Sequence, residues 1–104
     1  MRYIYFRKKD ENKGVVCVGY EISGERKMEM GFSFCSPTER FSRKKAHNII
    51  KGRIAANKNI TTIIPNKDSI KYESVVKMIR EILNDNINTK EFAGIKLPTW
   101  FKGV

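Results

Sequence analysis

Acidic side chains are scarce in this chain: eleven Asp and Glu stand against twenty-one Lys and Arg, a formal charge of +10 over 104 residues. Histidine occurs once, tryptophan once, cysteine twice and proline three times. Each shortage excludes something. A zinc site takes three or four ligands from Cys, His and carboxylates, and one histidine without a CxxC pair does not supply them. Two-metal chemistry needs converging carboxylates. Asp10, Asp68 and Asp85 each lie beside turn-forming residues, and the eight Glu are scattered without metal-ligand spacing. Neither a Walker A sequence nor GxGxxG is present, so no cofactor is expected. His47 is the only imidazole and lies in a basic stretch with no carboxylate nearby in sequence. A thiolate at Cys35, close to a helix start, is the remaining nucleophile candidate, but it has only the distant His47 as partner. The chain is therefore expected to bind rather than to catalyse.

No apolar run approaches 18 residues, so no membrane-spanning helix is expected. The opening Met1-Arg2-Tyr3-Ile4-Tyr5-Phe6-Arg7-Lys8 lacks the apolar core of a signal peptide and reads as a strand. A cytoplasmic location follows as the expectation. There, Cys17 and Cys35 stay reduced and act as small packing residues.

Apolar residues make up 40% and charged residues 31%, the composition of one globular domain spanning residues 1–104. Residues 2–9, 15–22 and 28–35 are β-rich, and the breaks between them are polar and contain glycine, which predicts a three-stranded antiparallel meander. A five-residue second loop sets Ile22 opposite Met28, then Tyr20–Met30, Val18–Phe32 and Val16–Phe34. Every large apolar residue then falls on one face, and Ile4 and Phe6 complete it. The same register sets Gly19 opposite Gly31 on the other face, with Cys17 opposite Ser33 and Tyr3, Tyr5 and Arg7 alongside. Glycine in a strand marks a bulge or a close approach. Two readings stand: Tyr3 folds over the glycines, or the trough is a platform for a base or another flat group.

Helix-start signals follow at Ser36-Pro37-Thr38-Glu39, where Glu39 completes a capping box, and a second cap candidate stands at Ser42. They predict a short turn at 37–40 and a helix over 42–57, with Phe41, Ala46, Ile49, Ile50 and Ile54 as its apolar stripe. Ile60-Thr61-Thr62-Ile63-Ile64 reads as a fourth strand. A second amphipathic helix is predicted over 69–84, capped by Asp68 or Ser69. The tail from Asn88 is an irregular strap over the core, because its Phe92, Leu97, Trp100 and Phe101 would be costly left in water. The order is βββαβα with a tail, an α+β fold, with both helices expected on one face of the sheet.

Function concentrates in Arg40, Arg43, Lys44, Lys45, His47, Lys51 and Arg53. Basic residues at three- and four-residue spacing let one helical face follow a phosphate backbone, although a merely solvated face carries such charges too. Arg2, Arg7, Lys8 and Lys9 form a second basic patch, and Tyr3 and Tyr5 are candidates to stack on bases. The expected partner is DNA or RNA, alone or in a nucleoprotein complex. An acidic protein or an anionic nucleotide is the alternative, and no membrane partner is expected.

The run Gly31-Phe32-Ser33-Phe34-Cys35-Ser36-Pro37-Thr38-Glu39-Arg40-Phe41-Ser42-Arg43-Lys44-Lys45, continued by Ile49-Ile50-Lys51-Gly52-Arg53-Ile54-Ala55, resembles a pattern in small basic bacteriophage and mobile-element accessory proteins. Those proteins often carry Gly-Arg where this chain has Ala46-His47. The resemblance implies an accessory protein working in the cytoplasm of a bacterial host, in a group that includes anti-CRISPR inhibitors of host defence. The first 57 residues are also similar, in element order alone, to the arm-binding domains of tyrosine integrases.

Overall fold

Alternation along three consecutive strands dictates the centre of the molecule. The computed structural model describes residues 1–7, 14–24, 26–65 and 70–104. In it β1 (Arg2–Arg7), β2 (Val15–Ser23) and β3 (Lys27–Cys35) form the antiparallel meander, followed by α1 (Arg43–Ala55), β4 (Ile60–Ile63) and α2 (Tyr72–Asp85). A small hairpin, β5 (Glu91–Phe92) with β6 (Ile95–Lys96), closes the order. The main sheet runs β1-β2-β3-β4. Its β2–β3 register pairs Ile22 with Met28, Val18 with Phe32 and Gly19 with Gly31, as the alternation demands. The fold is α+β.

The apolar face built by this register is sealed by α2 and the tail. Val75, Ile79 and Leu83 of α2 pack with Val16, Val18, Met28, Met30 and Phe32, and Phe92 and Phe101 complete the cluster. The tail is more regular than its sequence suggests. Ala93 and Gly94 both take positive φ (52° and 75°) and form the two-residue turn of the β5–β6 hairpin. At the chain end, Val104 N–H donates to Asn84 Oδ1 at 2.9 Å, and Asn84 Nδ2 donates back to the Val104 carbonyl at 3.2 Å.

The two helices do not share a face. α1 lies on the opposite side of the sheet, where Ala46 and Ile50 are buried with Cys17 and are flanked by Tyr3, Tyr5, Phe41 and Ile54. The glycine pair is the physical reason. A Cβ placed on Gly19 would stand 2.8 Å from Ile50 Cγ2, and one on Gly31 would stand 2.9 Å from Ile54 Cγ1. The trough is thus a seat for a helix, and it is not open to a flat ligand. Tyr3 shields part of it, its ring edge lying 3.0 Å from the same Gly19 position.

Local chemistry sets the ends of α1. Ser42 is its N-cap and accepts a hydrogen bond from Lys45 N–H at 3.3 Å. The earlier Ser36–Glu39 segment makes only a turn, with Glu39 N–H donating to the Ser36 carbonyl at 3.1 Å and the Ser36 hydroxyl bonded to Thr38. At the other end Asn57 takes φ 60°, while Lys58 N–H reaches the Arg53 carbonyl (2.7 Å) and Asn57 N–H the Ile54 carbonyl (3.0 Å), a Schellman motif. α2 begins at Tyr72, with Lys71 at the cap and no side-chain capping bond. The caps expected at Asp68 and Ser69 lie outside the described residues. Among the described residues no helix is long and apolar enough to cross a membrane.

Candidate nucleic-acid interface

Seating α1 on the glycines brings its flank against β1, and so joins residues that lie some forty positions apart. His47 precedes Ile50 by three residues and lands over Tyr3, the neighbour of Gly19 in the register. Its ring stacks on Tyr3 with centroids 3.6 Å apart and planes 13° from parallel. His47 Nε2 lies 2.5 Å from the Tyr5 hydroxyl. Tyr5 donates that bond to a neutral imidazole with bare Nε2 and accepts it from a protonated one. Two guanidiniums flank the same seam, Arg43 at 5.0 Å from the Tyr5 ring centre and Arg7 at 5.1 Å from that of Phe41. Tyr5 and Phe41 meet edge to face at 5.6 Å.

The basic residues named by the sequence therefore divide into three groups. Arg7 at the end of β1, Arg40 in the segment before α1, and Arg43, Lys44, Lys45 and Lys51 of α1 are all exposed. No Asp or Glu occurs in the chain between Glu39 and Asp68, so no carboxylate interrupts the helix. His47 is half-buried and engaged by both tyrosines. Arg53 turns inward: its Nη1 donates to the Phe32 carbonyl at 2.6 Å, and burial lowers its pKa. It ties α1 to β3. Arg2 is exposed at the start of β1, while Lys8 and Lys9 lie outside the described residues. Tyr3 and Tyr5 each already carry a partner on the ring, His47 and Arg43 respectively.

Burial, with Lys51 and Arg43 adding repulsion, lowers the pKa of His47. Burial raises those of Tyr3 and Tyr5, so both stay phenols. The Tyr3 hydroxyl is enclosed and lacks a hydrogen-bond partner among the described residues. The pKa values of both thiols are raised. Burial pushes Cys17 up to about 12. Cys35 is also raised, by burial and then Glu39, with Lys45 and Arg7 opposing. The helix that was to favour a Cys35 thiolate begins only at Arg43. Among the described residues no group of three His, Cys, Asp or Glu converges as a metal site would require.

The structure adds two features that sequence reasoning did not supply, the inward tie of Arg53 and the Tyr3–His47 stack. The Gly19–Gly31 pair was their signal. Once α1 is placed over it, the three-residue step from Ile50 to His47 leads to Tyr3. Compared with known proteins, the chain matches no family model, no curated protein and no solved structure.

Proposed function

We propose that this protein is a nucleic-acid-binding domain that works stoichiometrically, gripping phosphates through the outer side of α1 and the adjoining end of β1. One observation carries the reading: six exposed cations stand on α1, on the segment that leads into it and at the end of β1, and α1 itself contains no carboxylate. From Arg43 to Lys51 the helix rises about 12 Å, a length over which duplex DNA presents roughly seven phosphates. The aromatic residues of the seam hold the guanidiniums and His47 in place. In this reading Tyr3 and Tyr5 shape the surface, and contact to bases is secondary.

If all six cations neutralise phosphates, log K should fall against log salt with a slope of about −5 on duplex and about −4 on single strands. Replacing Arg43, Lys44 and Lys51 together with Ala should weaken binding at least tenfold and reduce the duplex slope by about 3, with little change in melting temperature. Arg53→Ala is the internal contrast, because it should lower the melting temperature more than the affinity. Unchanged affinity in the folded triple variant rejects this surface. Binding to an acidic protein or nucleoprotein effector with a shallow salt dependence would favour the rival, a phage-type inhibitor acting through the same cations.

A further inference from the structure

The two edges of the sheet differ in chemistry. β1 has Arg2 and Arg7 at its ends and lies beside α1. β4 is Ile60-Thr61-Thr62-Ile63, without a charge, and Ile63 is 62% exposed. Sheets that must stay unpaired guard such an edge with a charge or a proline, and Pro65 comes only after this strand ends.

Hydrogen bonding shows which backbone groups face outward. Ile64 N–H donates to the Arg26 carbonyl at 2.8 Å. The direction alternates with a period of two, so Ile60 and Thr62 also turn toward β3, while Thr61 and Ile63 offer N–H and C=O to the open side. Beside this edge runs an open groove of about 520 Å³, walled by Thr62 and Ile63 on one side and by Lys77, Met78, Glu81 and Ile82 of α2 on the other. Met78 and Ile82 are half-buried; Lys77 and Glu81 are exposed and one turn apart.

We propose that this groove receives the same groove of a second copy of the chain. β4 would pair with its counterpart about a two-fold axis at Thr62, fusing two four-stranded sheets into one of eight. Self-complementarity carries the argument, because a two-fold interface must match itself. Pairing Thr61 of one chain with Ile63 of the other joins only outward-facing groups, and it sets the two Thr62 side chains opposite each other at the centre. The two α2 helices then run antiparallel, bringing Lys77 of one chain to Glu81 of the other. A groove wall with one charge of each sign fits its own two-fold copy, whereas a uniformly acidic strand would leave Glu81 opposed. Met78, Ile82 and Ile63 lose water in the same step. Repulsion between two chains of charge +10 is screened over about 8 Å at physiological salt.

The axis stands perpendicular to the sheet, so both α1 helices emerge on one face. With strands about 4.8 Å apart they lie roughly 15–20 Å from each other. Resting on the proposed nucleic-acid reading, the dimer presents two basic helices to one polyanion.

Sedimentation equilibrium of the full chain without nucleic acid tests the pairing. The expected mass is twice 12.1 kDa. Lys77→Glu and Glu81→Lys should each give the single-chain mass, and the double variant Lys77→Glu/Glu81→Lys should restore the dimer, with unaltered far-UV circular dichroism throughout. A wild-type chain that stays single at its highest soluble concentration overturns the proposal, as does a dimer indifferent to both reversals. A single chain whose groove takes up an acidic strand peptide also overturns it, and assigns the groove to another protein. Since no nucleic acid is present, failure here leaves the α1 reading intact, and that reading's own variants can fail while the dimer stands.

Discussion

Replacing Gly31 with valine tests the seating of α1 directly. A Cβ at this position would stand 2.9 Å from Ile54 Cγ1 and 3.1 Å from Ile50 Cγ2. The nearer distance falls roughly 0.6 Å short of the ~3.5 Å at which carbon atoms rest comfortably. Alanine alone is tolerable: Ile54 is half-buried near the helix end and can turn aside, and losing a strand glycine gains about 0.5–1 kcal/mol. Valine adds two stiff γ-methyls, and at least one must press on α1. Overpacking of this kind costs about 2–3 kcal/mol, which for a chain near 100 residues lowers the melting temperature by roughly 10–15 °C. Ile54→Ala vacates the contested space. The double variant Gly31→Val/Ile54→Ala should therefore be more stable than the sum of the single changes implies, by about 1 kcal/mol or more. Thermal and urea melts followed by far-UV circular dichroism give all four corners of the cycle. A Gly31→Val protein melting within about 2 °C of wild type, or a cycle with no coupling, would refute the close approach.

Titration and labelling supply two further expectations. Because the folded pKa of His47 is lowered by burial, Lys51 and Arg43, the unfolded chain takes up the proton first as pH falls through about 6.5. Stability should be full above that value and decline below it, more steeply in wild type than in His47→Gln; parallel melting curves from pH 7 to 5 would contradict the burial of the ring. With Cys17 pushed up to about 12, on the order of one molecule in 10⁴ carries its thiolate at pH 8. A disulfide reagent should therefore titrate one thiol, Cys35, in the folded protein and two after unfolding, and two fast thiols in the native state would refute the packing of α1 over Cys17.

How the surface proposed to bind nucleic acid assembles depends on one topological choice. With both helices on the apolar face, His47 and Arg43 would have had no tyrosines to rest on. Placed over the glycines, α1 sets its cations beside those of β1, and a cluster on one helix becomes a surface shared by two elements. If the proposed phosphate binding holds, its aromatic underlay spares Arg7 and Arg43 part of the rotamer freedom they would lose on gripping a phosphate, a loss of about 0.5–1.5 kcal/mol for each side chain.

The strand register, the two amphipathic helices, the Ser42 cap and the excess of cations were all legible in the sequence. Each is settled by short-range rules, two-residue alternation in strands and three-to-four-residue spacing in helices, which act over a few neighbours. The helix face carrying Arg43, Lys44 and Lys51 followed from the same spacing. Tertiary structure alone decided which side of the sheet α1 would take. Facing glycines announce that something approaches closely, but a flat ligand, a tyrosine ring and a helix backbone require the same missing Cβ atoms. The competition was decided by area: the large apolar face needed α2 and the aromatic tail together, leaving the narrow stripe of Ala46, Ile50 and Ile54 to fit the groove over Gly19 and Gly31. The inward turn of Arg53 to the Phe32 carbonyl and the stacking of His47 on Tyr3 are consequences of that seating, and no local pattern in the chain encodes either.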